Sequence, residues 1–463
     1  MKTNTAIVND LTVGNPLTKI LGFAIPIFIG NIFQQLYNVV DMVVVGHILG
    51  EEALASLGAT TAIYGLVLGL ANGMTNGFSI IIARYFGAKK YDTLKQTVAT
   101  TMVLTFLISL MLTIVSLLFL KPLLVTLRTP MEVMDNAIAY ISIILATILV
   151  TMSYNMFAGI LRAIGNSRMP LYFLMIATTV NIVLDILFIQ VFGMGIRGAA
   201  LATVFAQLLA VILCVLYIIR KCPIIKVSKK DFKYEKKIVS DLLAMGSSMA
   251  MMFSIVSIGT VALQSGVNSF GTYTVTAHTA ARKLSEIFML PLSTLSISAS
   301  TFASQNFGAR KWGRIVQGIK SAGFLAVIWC VFANLSVLFF AKEIITLMTG
   351  SHIETVIHTA EQYLRFNLPF YFVLCILLIL RSTLQGIGRK MVPLIASTIE
   401  LLAKFFVTAV LVPSMGYFGI ILSEPAIWTI CAVLVLFDFI VTMKRFTHFD
   451  SDLGEVNETI SEN

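Results

Sequence analysis

Apolar residues run along this chain in long blocks separated by short polar stretches. The blocks cover residues 17–41, 53–83, 96–120, 134–160, 170–190 and 197–219, then 238–262, 273–303, 315–340, 356–380, 391–412 and 418–443. Each reaches the ~20 residues that a helix needs to cross ~30 Å of hydrocarbon. The pattern predicts an all-α polytopic membrane protein with twelve transmembrane helices. Composition agrees: 57% of residues are hydrophobic, 12% are charged and the mean hydropathy is +0.90. A soluble domain carries roughly twice that charge, about 25%, so this chain lacks the polar surface to face water. The leading segment "MKTNTAIVNDLTVGNPLTK" has no short apolar core followed by a small-residue cleavage site, and the first block is expected to be a retained span.

A net charge of +10 raises the question of nucleic acid. Its distribution answers otherwise. With the spans alternating from an inside start, the inside loops hold Arg84, Lys89, Lys90, Lys95, Arg162, Arg168, Arg310, Lys311, Arg314, Arg381, Arg389 and Lys390. The outside loops hold Lys121, Arg128, Arg197 and Lys342. That asymmetry is the positive-inside rule, which places both termini in the cytoplasm and assigns the charge to membrane orientation. Five scattered cysteines form no close-spaced pair and indicate neither a zinc site nor a disulfide framework.

The two halves echo each other. "YFGAKK" (85–90) returns as "NFGARK" (306–311), "LRAIGNSRMP" (161–170) as "LQGIGRKMVP" (384–393), and "MGIRGAAL" (194–201) as "MGYFGIIL" (415–422). Each half has six spans, an even number, so both enter the membrane the same way and the repeat is parallel. Two such lobes are the architecture of an alternating-access transporter. The expected organisation is an N-terminal six-helix lobe (1–222), a basic cytoplasmic linker (223–237), a C-terminal lobe (238–446) and an acidic cytoplasmic tail (447–463), the tail read as disordered. The linker sits in the most charged internal stretch, residues 220–237, and is a candidate for contact with anionic lipid.

Polar side chains inside the spans are the candidate chemistry. Asn31, Gln34, Asn38 and Asp41 recur at intervals of three and four and form one stripe on the first helix. Thr178, Asn181 and Asp185 form a second on the fifth, Thr203 and Gln207 a third on the sixth. A lipid-facing Asp costs about 2.5–3.5 kcal/mol, so these faces are expected to point into the bundle. A hydrogen-bonded helix contact is the alternative role, open above all for Gln34, Asn38 and Gln207. Neither Asp41 nor Asp185 has a Lys or Arg one turn away, whereas Arg282–Glu286 and Glu400–Lys404 are spaced to pair within their own helices. An unpartnered buried carboxylate can take up a proton; beside the Asn181 carbonyl it can instead hold Na⁺ through hard oxygen ligands. Tyr37, Tyr154, Asn155, Met252 and Phe253 are candidates for lining a substrate cavity, because aromatic faces and flexible thioethers accommodate varied apolar cations. Pro26 lacks the N–H that completes a helix ladder and is a candidate bending point. His278 is read as a satisfied bundle residue.

Taken together, the paired "FGA(K/R)K" loops, the "AIGNSRMP"/"GIGRKMVP" loops and the early "AIPIFIGNIFQQLYNVVDMVVVGHILG" resemble the multidrug and toxic compound extrusion (MATE) transporters over nearly the whole chain. The resemblance implies export of cationic or amphipathic organic compounds driven by H⁺ or Na⁺, with no cofactor and no enzymatic activity. It also implies a multi-pass protein of the bacterial cytoplasmic membrane, acting as a monomer with lipid and small organic cations as its partners. Asp41, Asn181, Asp185, Thr203 and Pro26 match the branch with N-lobe coupling carboxylates (the DNA-damage-inducible type), for which H⁺ is the expected ion. Within the seventh span the stretch "LLAMGSSMAMMFSIVSIGTVAL" (242–263) carries no Asp or Glu, a departure from the branch often coupled to sodium. A rival is a lipid-linked oligosaccharide flippase, whose pyrophosphate would need several free cations; Arg282, Lys283 and Lys404 are the candidates. A membrane enzyme would need clustered carboxylates for Mg²⁺, a nucleotide fingerprint or a zinc-spaced His set, and a channel would need a filter loop; the sequence offers none of these.

Overall fold

The computed structural model describes residues 9–127, 129–350 and 353–461, and these residues are helical with no strand among them. The first half comprises α1 (Pro16–Leu49), α2 (Glu51–Gly87), α3 (Tyr91–Thr126), α4 (Met131–Ala146), α5 (Ile148–Ala163), α6 (Arg168–Ile186) and α7 (Ile196–Lys221). The second comprises α8 (Lys236–Val267), α9 (Thr272–Gly308), α10 (Trp312–Thr349), α11 (Glu354–Asn367), α12 (Tyr371–Gly386), α13 (Met391–Phe406), the short α14 (Val412–Met415) and α15 (Tyr417–Ser461). Among the described residues eleven helical stretches are long and apolar enough to cross a bilayer, α11 with α12 (Glu354–Gly386) and α13 with α14 (Met391–Met415) each counting as one, and α4 with α5 makes a twelfth if that pair, bent by 47°, is one span. The bend falls at Thr147, whose hydroxyl donates back to the Ile143 carbonyl at 2.7 Å and competes with the helix ladder. Several helices outrun the apolar blocks: α1 has 34 residues, about 51 Å at ~1.5 Å per residue, against ~30 Å of hydrocarbon. The helical backbone also continues past the apolar part of α15 to Ser461, where the acidic composition had predicted disorder.

The internal repeat reaches down to single dihedral angles. Among the described residues, two other than glycine have positive φ: Lys89 at 55° and Arg310 at 56°. They occupy the same position in "YFGAKK" and "NFGARK". Each lets the next amide reach back to close the helix end, Lys90 N to Tyr85 O and Lys311 N to Asn306 O. The second echo repeats this device with Gly165 and Gly388, the third has Gly195 and Gly416. A π-turn follows α6 at Leu187–Val191 and another follows α13 at Val407–Leu411.

The chain forms two compact units, one of residues up to Asp10 with Gly22–Phe253, the other of Leu11–Leu21 with Ser254 onward. In the first, α2 and α5 pack together and α7 packs on α4, α5 and α6. One core lies around Leu57, Ile63, Val67, Ile141, Leu145 and Met152, another around Ile82, Leu94, Phe157, Leu161, Cys214 and Ile225. In the second unit α9 is central, against α10, α11 and α12. The Leu11 segment is held there by Gln305 Oε1, which accepts from Leu11 N at 3.0 Å, and by Lys311 Nζ, which donates to Thr12 O at 2.8 Å. The third span of each half leaves much of its apolar surface exposed. Leu118 and Phe119 on α3, and Phe332 and Phe339 on α10, are exposed apolar side chains, as a hydrocarbon solvent requires.

Two glycines fix the approach of α2 to α8. A Cβ at Gly73 would lie 2.4 Å from the Ala250 Cα, and one at Gly77 would lie 2.6 Å from the Gly246 Cα. Without side chains the backbones meet directly, the small-residue packing of membrane helices. Gly77→Val is therefore expected to cost about 1–3 kcal/mol or more, lowering the Tm of the purified protein, while Gly58→Ala, where nothing lies within 4 Å, leaves it unchanged.

Candidate functional site

Of the polar stripes expected to point into the bundle, Asp41, Asp185 and, through Tyr37, Thr203 come together inside the first unit, whereas Gln34 and Asn38 on the first stripe are exposed. Asp41 on α1 is 9% exposed; on α6 Asn181 is 1% exposed and Asp185 fully buried. Asp41 and Asp185 are neighbours across α1 and α6, close enough to interact electrostatically. Neither finds a donor for its buried oxygens: Asp41 Oδ1 and both Asp185 oxygens are unpartnered, as are both polar atoms of the Asn181 amide and the Thr178 hydroxyl. Two ionised carboxylates can only accept, so a hydrogen bond between them requires a proton. Hard oxygens gathered in this way are also a donor set that Na⁺ can use. Tyr37 ties α1 to α7, donating its hydroxyl to Thr203 Oγ1 at 2.9 Å.

Other sequence candidates lie elsewhere in the same unit. Gln34 and Asn38 are on the exposed side of α1, while Pro26 is buried within the uninterrupted helix. Asn155 Nδ2 donates to Asn72 Oδ1 at 2.7 Å, and Gln207 Oε1 accepts from Thr151 Oγ1 at 2.5 Å. Both bonds join neighbouring helices. Tyr154 packs against Ala177, Ala206 and Ala210. On α8 Met252 is buried, and Phe253 is exposed and reaches α2 at Gly69. The site also holds residues that sequence reasoning passed over: Tyr64 and Tyr140 lie within electrostatic range of Asp41. Nothing in the spacing of thirteen tyrosines singled these two out.

Buried charge in the second unit is organised differently. Glu400 pairs with Lys404 at 2.9 Å, as its spacing predicted, and Arg381 approaches the same carboxylate at 3.9 Å. Arg282 does not pair with Glu286. It bonds instead to Glu424 on α15, which also accepts from the Tyr363 hydroxyl at 2.7 Å, and Glu286 takes Lys283 at 3.2 Å. Glu424, an acid in the apolar run "ILSEPAIW", was the missed partner. His278 is buried with Nδ1 3.1 Å from the Tyr417 hydroxyl, a satisfied ring as expected. Among the described residues no group of three or more His, Cys, Asp or Glu side chains is placed to hold a metal ion.

Two repeated bundles of membrane-length helices, with unpartnered carboxylates buried in one and salt-bridged charge in the other, define a polytopic membrane transporter. The MatE family model matches residues 26–187 and 248–410, and the chain belongs to that family. This bears out the resemblance to MATE transporters; the protein is a transporter and not an enzyme, and its family needs no cofactor. Similar curated proteins include the probable multidrug resistance proteins YoeA, 25% identical over 92% of this chain and 94% of its own length, and YpnP, 28% identical over 89% and 92%, both of Bacillus subtilis. The multidrug export protein MepA of Staphylococcus aureus is 20% identical over 95% and 97%. Among solved structures, a MATE in a bent conformation superposes with a TM-score of 0.90 at 22% identity, over 97% of this chain and all of that one. A transporter of the MOP superfamily from Pyrococcus furiosus gives 0.88 at 22% identity, over 96% and 100%.

The contrast between the units has a measurable consequence. Glu424→Gln leaves Arg282 without its ion-pair partner and is expected to destabilise on the order of 3 kcal/mol, seen as a lower Tm in detergent. Asp41→Asn and Asp185→Asn remove buried charge that has no cationic partner, and each is expected to keep or raise the Tm.

Proposed function

We propose that the protein exports organic cations and amphipathic drugs by cation-coupled antiport, with H⁺ the more fitting ion and Asp41 and Asp185 the coupling pair. The observation that carries this reading is the closeness of the two buried carboxyls, neither of which has an ion-pair partner among the described residues. Protonation from the outside removes buried charge and favours one arrangement of α1 against α6 and α7. Deprotonation toward the inside favours the other. Asn181 and Thr203 complete the pair's surroundings; with Na⁺ as the ion, the Asn181 carbonyl would join the two carboxylates as a ligand. Pro26, where α1 lacks a ladder hydrogen bond, is the point at which the helix bends and narrows the cavity of its lobe. Bent and straight conformations are both named among the solved MATE structures, at TM-scores of 0.90 and 0.87. An inward proton contributes about 2.3 kcal/mol per 100 mV of membrane potential before any pH gradient is added.

MepA is a multidrug export protein and YoeA and YpnP are probable multidrug resistance proteins, and an adaptable lining of Tyr37, Met252 and Phe253 fits such a substrate class. Gln34 and Asn38 on exposed α1, with Tyr154, Asn155 and Gln207 deeper in the unit, complete the proposed path. In this reading the protein works as a monomer in the bacterial cytoplasmic membrane, with both termini inside. The flippase alternative loses support from the second unit: each of its three candidate cations, Arg282, Lys283 and Lys404, has a carboxylate within 4 Å.

The test is efflux of ethidium from proteoliposomes under an imposed pH gradient, with and without a sodium gradient. Efflux is expected to follow the pH gradient and to fall to the background rate in Asp41→Asn and Asp185→Asn, while both variants insert and fold normally. Efflux driven by sodium alone would reassign the pair as a Na⁺ site, and normal export by both variants would sink the scheme.

A further inference from the structure

The loop between α7 and α8 has a feature that transport does not use. Residues 220–237 carry eight Lys and Arg against two acids, and the fold sorts them. Asp231 is buried, its carboxylate accepting at 2.7 Å from both the backbone N–H and the hydroxyl of Ser228, with Lys95 of α3 alongside. Cys222 and Ile225 are buried in the core shared with α3 and α5. The loop is thus pinned to its unit by its inner face. Its outer face presents Lys226, Lys229, Lys230, Lys233, Lys236 and Lys237, all exposed and, among the described residues, none in an ion pair. Glu235 is the single exposed acid there. Among these lysines Phe232 is 54% exposed and Tyr234 is 80% exposed.

We infer that this face is a docking surface for the anionic lipid headgroups of the adjacent leaflet, with Phe232 and Tyr234 seated at the headgroup level. The position commits the occupant. The loop joins the ends of two membrane-length helices and so lies at the bilayer surface, where lysines meet anionic lipid and aromatic rings settle between water and hydrocarbon. A loop that served only to orient the chain needs the lysines but gains nothing from two bare rings. Asp231 turns inward onto Ser228, which leaves Glu235 as the one acid on the outward face. The docking would hold the entrance to α8 against the leaflet and make the loop sensitive to lipid composition.

The full-length protein carrying Tyr234→Cys can be labelled there with an environment-sensitive fluorophore, since all five native cysteines are buried. It would be compared in nanodiscs of phosphatidylcholine alone and of phosphatidylcholine with phosphatidylglycerol. The inference expects a blue-shifted emission with phosphatidylglycerol, quenched by lipid brominated near the headgroup and reversed at about 1 M salt, where the Debye length falls to ~3 Å. Adding Lys229→Gln, Lys230→Gln and Lys233→Gln is expected to weaken that quenching at least ten-fold. Identical emission in the two lipids, or a response that survives both salt and the three substitutions, would overturn it. Free inorganic phosphate added to the phosphatidylcholine discs leaves the emission unchanged if lipid is the partner; a shift there would overturn the assignment to lipid.

Discussion

Charge inside a bilayer must be paired, hydrated or able to disappear, and much of this structure follows from how it meets that constraint. The second unit meets it by pairing: Arg282 with Glu424, and Glu400 between Lys404 and Arg381. The first unit brings two carboxyls close together, with no ion pair to either among the described residues. Paired charges are inert unless the helices that hold them part. A carboxyl pair that needs a proton changes its character whenever that proton leaves. The same repeated fold therefore carries two electrostatic designs, one of paired charges that holds helices together and one that, in the proposed function, responds to an ion.

The scaffold around the pair is built to place it. α6 brings Thr178, Asn181 and Asp185 to one buried face, and α1 brings Asp41 from more than 140 residues away in sequence. Tyr37 binds α1 to α7 through Thr203, and α6 packs on α7. Close contact of α2 with α8 at Gly73 and Gly77 gives the same unit a rigid side, while Pro26 leaves α1 one missing hydrogen bond along its length. Rigidity and a yielding point thus lie on different helices.

Much of this was legible before any coordinates, because the bilayer constrains sequence so strongly. Apolar length marked the spans, and the three echoed motifs marked the repeat, which the matching left-handed residues Lys89 and Arg310 then displayed in the backbone. The i, i+4 spacing of Asn181 and Asp185 told that they share a face. That the stripes could converge followed from their lying in one half of the chain, but the closeness of Asp185 to Asp41 in particular has no local signature. Arg282 shows the limit in the other direction: its own helix offered Glu286, but Glu424, 142 residues on, became the partner. Local spacing names the available pairs, and packing chooses among them. Tyr64 and Tyr140 went unnoticed for the same reason. The bend at Thr147 was equally silent, because one back-bonding threonine among many looks ordinary in sequence.

The central claim is that the Asp41–Asp185 pair holds a proton that substrate displaces. Proton release on binding, measured with a pH indicator in weakly buffered detergent solution as ethidium is added, tests it without any membrane gradient. The account predicts release from the wild-type protein and none from Asp185→Asn. Ethidium binding to the wild type with no proton released, or release undiminished in the variant, would contradict it.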